Sequence, residues 1–224
     1  MTLNTRAWLS LLALALVTGL LVFGVAGTLH YWQAWLYFAV FFGATMVVTS
    51  DIMRRDPALL ARRIRGGPFA ERDPRQRLIS VFISLGFIGL MVVPALDHRF
   101  GWSSVPTVLA LSGNAATIVG FYVVARAYRV NSFTSAIIEV VPGQHVISTG
   151  PYALVRHPMY AGSALYLLGT PLALGSRWAF LVLVAMSPFL LWRLLEEERL
   201  LARQLPGYQE YLNRVRYRLV PRVW

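Results

Sequence analysis

The sequence contains no cysteine and no lysine, and only 14% of its 224 residues are charged. Without cysteine the chain forms no disulfide, so it is not a small secreted domain held together by such bonds. Soluble domains are usually about 25% charged, whereas here 57% of the residues are hydrophobic and the mean hydropathy is +0.56. This composition excludes a disordered chain and an ordinary cytosolic enzyme, and it indicates a polytopic membrane protein.

Six segments carry no charged residue and approach or exceed the roughly 20 apolar residues that a transmembrane helix needs. They are 7–27, 31–50, 78–96, 105–125, 158–176 and 178–192. An open strand edge finds no hydrogen-bond partner in lipid, so these segments predict an all-α fold of about six transmembrane helices. The short links predict three tight hairpins. The first segment is longer than a signal-peptide core and a second span follows at once, which favours a retained span.

The 21 basic residues, all of them arginine, are distributed very unevenly among the links. With a cytoplasmic N-terminus, 19 arginines fall on the cytoplasmic side, and only Arg99 and Arg177 fall on the other. The positive-inside rule therefore predicts that both termini are cytoplasmic. It also explains the formal net charge of +11 without a nucleic acid, which leaves the lipid bilayer as the expected partner. The arginine-only basic set and short loops suggest a bacterial inner membrane protein.

The polar residues divide the chain into two regions. Residues 1–125 are predicted to form a four-span membrane region with an arginine-rich cytoplasmic loop at 51–77. Residues 126–224 contain a polar insert at about 127–157, the third hairpin and a polar C-terminal segment, and we expect them to carry the chemistry. The 51–77 loop is read mainly as a solvated loop that fixes the topology, with an interfacial amphipathic stretch as the alternative.

Arg156, His157 and Pro158 predict an anion site at the start of the third hairpin. A residue before proline is kept out of helical geometry, and proline suits the first turn of a helix. A helix starting there directs free N–H groups and its positive dipole end at an anion beside Arg156 and His157. Arg156 can add a bidentate fork. The alternative is that Arg156 reaches lipid headgroups while His157 only caps the helix.

Three consecutive carboxylates, Glu196, Glu197 and Glu198, follow directly on the last predicted span. Carboxylates close to a membrane are costly unless they bind a cation or hydroxyl groups, so this cluster is a second candidate ligand site. The alternative is a solvated helix end with weak surface ion pairs. The tail at 205–221 alternates arginine with tyrosine, which favours an interfacial anchor over an RNA-binding surface.

No metal site is predicted. His145 and His157 lie twelve residues apart in the polar insert, and no third ligand is in register with them.

The motif Gly150-Pro151-Tyr152, followed by Arg156-His157-Pro158-Met159-Tyr160 and Gly162, resembles the isoprenylcysteine carboxyl methyltransferase family. Arg193, the Glu197-Glu198 pair and the tail sequence Gly207-Tyr208-x-x-Tyr211 extend the likeness, which the related phospholipid N-methyltransferases share. It covers 126–224, whereas over 1–125 it extends only to hydropathy. The resemblance implies a membrane methyltransferase that uses S-adenosylmethionine, with its cofactor pocket in the C-terminal half at the cytoplasmic face.

The resemblance also implies roles for individual residues. Arg156 and the helix start at Pro158 suit the cofactor carboxylate, Glu197 or Glu198 suits its ribose or ammonium, and aromatic rings suit its adenine or sulfonium. The implied cofactor-binding residues are His145, Val146, Gly150, Tyr152, Arg156, His157, Tyr160, Glu197 and Glu198. The implied catalytic residues are Arg193 and Glu197, and the implied substrate-binding residues are Arg126, Arg129, Asn131 and Ser135.

Three functions are compatible with these residues. The first is carboxyl methylation of an isoprenylcysteine-like lipophilic acceptor, which needs a cation such as Arg193, Arg126 or Arg129 near the acceptor carboxylate. The second is methylation of a phospholipid amine, which needs a glutamate or histidine to remove a proton. The third is an NADPH-dependent membrane reductase of the sterol type. Residues suited to each function are present, so the sequence does not identify the methyl acceptor. It does not identify the oligomeric state either.

Overall fold

The computed structural model describes residues 1–71 and 73–224, and in these residues all regular structure is helical. Eight α-helices follow one another along the chain. They are α1 Leu3–Ala26, α2 Trp32–Arg55, α3 Pro57–Ile64, α4 Pro74–Phe100, α5 Thr107–Val130, α6 Pro158–Ala173, α7 Ala179–Gln204 and α8 Tyr208–Arg214. Two short 3₁₀ turns lie at Pro68–Ala70 and Gly150–Ala153. The predicted all-α fold is confirmed.

Five helices, α1, α2, α4, α5 and α7, are long and apolar enough to cross a membrane. Each has 24 to 27 residues, which at about 1.5 Å per residue exceeds the roughly 30 Å of a hydrocarbon core. The chain is therefore an integral membrane protein. The fifth predicted segment, 158–176, forms α6, which has only 16 residues and a length of about 24 Å. Five helices among the described residues thus have the length of a full span, and α6 is shorter.

The helices α5 and α6 approach each other almost backbone to backbone. A Cβ atom added to Gly120 would lie 2.5 Å from the carbonyl oxygen of Gly162, and one added to Gly113 would lie 2.5 Å from that of Gly169. Both helices repeat glycine every seven residues, which allows close antiparallel contact of the kind that small residues give membrane helices. This contact fixes the position of α6 and of its first residues.

The second predicted hairpin needs correction. The successive helices α4 and α5 hardly touch within the described residues; α4 instead packs against α1 and α7, while α5 packs against α2 and α6. The physical reason is again surface shape, because Gly86 and Gly89 of α4 leave room for Met186 and Val182 of α7. The helices α4 and α5 are therefore joined by a short link, but neither is the main packing partner of the other.

At one end of the bundle a buried carboxylate joins three segments. Asp97, with 1% of its surface exposed, accepts hydrogen bonds from the backbone N–H of Ser103 at 2.7 Å and from the hydroxyls of Ser103 and Ser176 at 2.6 Å each. These bonds tie the end of α4 to the α4–α5 link and to the α6–α7 turn. The opposite end, here called the arginine-rich end, holds α3, the polar insert and α8.

Candidate active site

A cavity of about 340 Å³ opens at the arginine-rich end, a volume within the range of small-molecule sites. Its walls come from α4, α6, α7, the polar insert and α8. The lining changes in character along each of the three membrane helices. It runs from Ser80 to Phe87 on α4, from Tyr160 to Leu167 on α6, and from Glu197 to Leu190 on α7.

In each of these three pairs the first residue is polar, the second is apolar, and seven residues separate them, a distance of about 10 Å along a helix. The charged side chains of Arg193 and Glu197 therefore define a polar part near the arginine-rich end. Phe87, Leu167 and Leu190 define an apolar part deeper among the membrane helices, with the hydroxyls of Ser84, Ser163 and Tyr166 also in the lining.

Ten of the fourteen residues predicted for the site line this cavity, and four do not. Those that line it are Asn131, Ser135, His145, Val146, Tyr152, Arg156, His157, Tyr160, Arg193 and Glu197. Those that do not are Arg126, Arg129, Gly150 and Glu198. Arg126 and Arg129 are exposed, and Arg129 pairs with Asp51 at 3.1 Å. Gly150 has a φ of 57° and forms the turn before Tyr152, a conformation that favours glycine.

The helix start predicted at Pro158 is confirmed. Pro158 is the first residue of α6, and His157 precedes it in a non-helical conformation with φ −126° and ψ 63°. The backbone N–H groups of Arg156 and His157 donate to the carbonyl oxygens of Tyr217 and Arg218, at 2.9 and 3.0 Å. The start of α6 is thus attached to the C-terminal tail.

The guanidinium of Arg156 is directed at protein groups rather than at lipid headgroups. Its Nε and Nη2 donate to the carbonyl oxygens of Val215 and Leu212, at 2.6 and 3.0 Å. Its Nη1 lies 3.2 Å from Glu198, which also accepts from Arg218 at 2.8 Å. These bonds hold the tail against α6, so Arg156 supports the cavity wall as well as lining it.

The three consecutive glutamates of α7 have different environments. Glu196 lies on the surface and pairs with Arg199 at 2.5 Å. Glu197 lines the cavity and accepts a 2.6 Å hydrogen bond from the hydroxyl of Tyr160. Glu198 is buried among Arg156, Arg218 and the ring of His157, whose Nε2 is 3.3 Å away. Only Glu197 of the three presents its carboxylate at the cavity, because successive helical residues point about 100° apart.

Arg193 is held by groups from three other parts of the chain: the arginine-rich loop, α4 and the polar insert. Its Nη1 donates to Glu71 at 2.7 Å and to the hydroxyl of Ser80 at 2.9 Å, and its Nη2 donates to the carbonyl oxygen of Ala136 at 2.9 Å. Glu71 is only 3% exposed. Glu71 and Ser80 were missed in the sequence, where Glu71 is one acid within an arginine-rich loop. The sequence does not set Glu71 apart from the other acids of the loop, Asp51, Asp56 and Asp73.

The prediction that the 51–77 loop is solvated is wrong for part of residues 62–71. Arg62 donates to the carbonyl oxygen of Ser132, and Arg63 donates to that of Ser135 at 2.8 Å. Gly66 also packs against Ala136, where an added Cβ would meet the alanine Cβ at 3.0 Å. These contacts dock the loop onto the insert because its arginines find carbonyl acceptors there. Arg72, also in this loop, lies outside the described residues.

Two buried hydroxyls in the cavity wall lack a hydrogen-bond partner among the described residues: those of Tyr208 and Thr134. Burial, and next to it the charges of Glu198 and Glu197, raises the pKa of Tyr208 far above its usual value, so its phenol is neutral. An unsatisfied buried hydroxyl costs about 1–3 kcal/mol. Such groups in a cavity wall are suited to a polar ligand.

Tyr211 shows the contrasting arrangement. Burial raises its pKa to about 12, so its phenol is also neutral, and it donates to the carbonyl oxygen of Tyr152 at 2.8 Å. Tyr211 therefore has a structural partner, whereas Tyr208 has none among the residues that the structure describes.

The fold and cavity together define a polytopic membrane protein with a cavity that reaches from the bundle end in among its membrane helices. Residues 108–206 match the family model described as phospholipid methyltransferase. This segment, which is less than half of the chain, is thus similar to phospholipid methyltransferases. No curated protein matches the chain. The matched segment leaves out Glu71, Ser80 and Tyr208.

Proposed function

We propose that this protein transfers a methyl group from S-adenosylmethionine to the carboxylate of an isoprenylcysteine-like lipophilic acceptor. The observation that carries the proposal is the change from polar to apolar lining along α4, α6 and α7. A site for a polar cofactor and a lipid acceptor needs both parts in one cavity, with the reacting groups held in line where they meet. The methyltransferase family match supports this reading over the NADPH-dependent reductase.

The residues of the polar part fit the chemistry of S-adenosylmethionine. Glu197 suits the ammonium or the ribose hydroxyls, and the unpartnered hydroxyls of Tyr208 and Thr134 suit its polar atoms. The rings of Tyr152 and Tyr160 suit the adenine and the sulfonium. When bound, S-adenosylmethionine supplies an activated methyl group, so the chain needs no nucleophile of its own.

The contacts in the structure change the roles that we propose for some of the residues predicted from the sequence. We assign cofactor contact to Glu197 rather than to Glu198, whose carboxylate is already engaged by Arg156 and Arg218. Arg156 and Glu198 are proposed to hold the tail in place. His145, whose ring packs edge-on against Phe133 at 4.8 Å between centroids, and Val146 are proposed as insert residues that cover the cofactor.

The apolar part of the cavity supports a hydrocarbon chain as part of the acceptor. Ile83, Phe87, Leu167 and Leu190 line it from three helices. Arg193 in the polar part favours an acceptor carboxylate, whereas the exposed Arg126 and Arg129 lie outside the cavity. Asn131 and Ser135 are proposed to border the acceptor headgroup.

A phospholipid amine is the second candidate acceptor. The description of the matching family model favours it, and Glu197 is a carboxylate in the cavity that is suited to take up the amine proton.

The test begins with purified protein in detergent. Calorimetry should detect binding of S-adenosylhomocysteine and none of NADPH. Radiolabelled methyl transfer is then compared for N-acetyl-S-farnesylcysteine and phosphatidylethanolamine. A label that alkali releases as methanol identifies a methyl ester, whereas an alkali-stable label identifies an N-methyl group. Binding of NADPH without S-adenosylhomocysteine would contradict the proposal.

We also propose that the cavity faces the cytoplasm of a bacterial cell, since the arginine-rich end carries most of the positive charge. Because the chain has no cysteine, single-cysteine labelling tests this orientation directly. A cysteine at the exposed Ser104 should react with an impermeant maleimide in whole cells, and one at Phe69, 90% exposed, should react only after lysis. The reverse pattern would place the cavity on the other side.

A further inference from the structure

Glu71 lies outside the segment that matches the family model, yet it contacts an arginine of the cavity wall. Its Oε1 accepts from Arg193 at 2.7 Å, and its Oε2 lies 3.4 Å from the backbone N–H of Ile138. Glu71 thus touches both α7 and the polar insert. Its carboxylate is buried, and a buried carboxylate is costly unless charged and polar groups satisfy it.

The contacts of Arg193 use part of its hydrogen-bonding capacity. A guanidinium has five N–H donors in a fixed plane. Glu71 and Ser80 take both donors of Nη1, and the carbonyl oxygen of Ala136 takes one donor of Nη2. Among the described residues the Nε donor and the second Nη2 donor make no hydrogen bond of normal geometry, although the hydroxyl of Tyr160 lies beside the guanidinium, and Arg193 lines the cavity. Two such donors match the two oxygens of a carboxylate or phosphate.

We propose that Glu71 is a positioning residue that fixes the guanidinium of Arg193 so that its remaining donors bind an oxyanion of the methyl acceptor. The proposal rests on the proposed function. The 51–77 loop then contributes to the acceptor site through Glu71. Without Glu71, the side chain of Arg193 is free to rotate away from Ser80 and Ala136. The oxyanion is the acceptor carboxylate of an isoprenylcysteine or the phosphate of a phospholipid.

Binding of lipid probes to the full-length protein in detergent tests this inference without relying on turnover. The probes are N-acetyl-S-farnesylcysteine, its neutral methyl ester, and lysophosphatidylglycerol as the phosphate source. Wild type should bind at least one anionic probe more tightly than the ester. Glu71→Gln should weaken that binding about tenfold, the loss expected for a misplaced charge-assisted fork. Binding of the ester and of S-adenosylhomocysteine should change less than about twofold.

Matched variants separate positioning from general support. Glu196→Gln removes the same charge from a surface ion pair of α7 and should change no affinity. Arg193→Gln should weaken the anionic probe, and adding Glu71→Gln to it should cause little further loss, because the two residues act as a unit. Glu71→Asp should retain part of the affinity.

Three outcomes would overturn the inference. The first is that wild type binds neither anionic probe better than the ester, and the second is that Glu71→Gln leaves anionic binding unchanged. The third is that Glu71→Gln weakens the ester and S-adenosylhomocysteine as much as the anionic probe, which is the sign of a merely structural residue. Failure of the proposed function is distinct, since wild type would then not bind S-adenosylhomocysteine.

Discussion

At the end of the bundle that carries Asp97, three donors surround one buried carboxylate. At the arginine-rich end, the hydroxyls of Tyr208 and Thr134 are buried without a partner among the described residues and line a cavity. Buried polar groups are normally satisfied within the protein, so a cluster of unsatisfied ones needs an explanation. The difference separates the Asp97 carboxylate, whose bonds stabilise the fold, from hydroxyls that we propose bind a ligand.

The largest expected effect is the loss of the Asp97 carboxylate, which accepts three hydrogen bonds. Asp97→Ala leaves the N–H and hydroxyl of Ser103 and the hydroxyl of Ser176 without their acceptor, and it should lower the free energy of unfolding by about 4 kcal/mol or more. Thermal unfolding in detergent measures this loss, with the exposed Ser104→Ala as a control that changes little. Folded Asp97→Ala protein should bind S-adenosylhomocysteine normally. A variant that keeps its stability but loses binding would contradict the division between the two ends.

The next largest effects concern two adjacent glutamates at the arginine-rich end. Glu197→Gln should weaken S-adenosylhomocysteine binding by about 1.5–3 kcal/mol, because a charge-assisted hydrogen bond to the ligand is lost. The unfolding temperature without ligand should stay nearly constant. Glu198→Gln should do the opposite, lowering stability by about 3 kcal/mol because Arg156 and Arg218 lose a buried counter-charge.

Calorimetry and thermal unfolding of both glutamate variants separate these effects. Equal losses of affinity and stability in the two variants would show that Glu197, like Glu198, supports the wall instead of contacting the ligand.

The sequence predicted what depends on local chemistry. Uncharged segments gave the membrane helices, and the His157-Pro158 pair gave the start of α6, because proline and hydrophobic length act on the residues around them. The sequence did not predict that α4 packs on α7 and not on α5, since that depends on the fit between surfaces distant in the chain. Glu71 was missed for the same reason: it is 122 residues from Arg193.

The glutamates show how far sequence reasoning reached within the site. The cluster at 196–198 was identified as a candidate ligand site, but the sequence did not tell which of the three faces a ligand. That choice depends on the helical phase of α7 relative to α6 and the tail, which places Glu197 beside Tyr160 and Glu198 beside Arg156. Arg156 was expected at an anion, and its carbonyl partners in the tail were not predictable from spacing.

The smallest expected effects concern two neighbouring tyrosines, whose substitutions should change stability in opposite directions. Tyr208→Phe removes a buried hydroxyl that has no partner among the described residues, so it should raise the free energy of unfolding of the ligand-free protein by about 1 kcal/mol. Tyr211→Phe removes the donor to the carbonyl oxygen of Tyr152 and should lower it by about 1 kcal/mol.

The same two variants, titrated with S-adenosylhomocysteine, connect stability to binding. If the Tyr208 hydroxyl bonds the ligand, Tyr208→Phe should bind it about fivefold more weakly while melting at a higher temperature without it, since the lost bond is worth about 1 kcal/mol. Tyr211→Phe should melt at a lower temperature and keep most of its affinity. Because one change gains stability and loses affinity, a general disturbance of the tail does not imitate it. A Tyr208→Phe protein with higher stability and unchanged affinity would show that the hydroxyl does not contact the ligand.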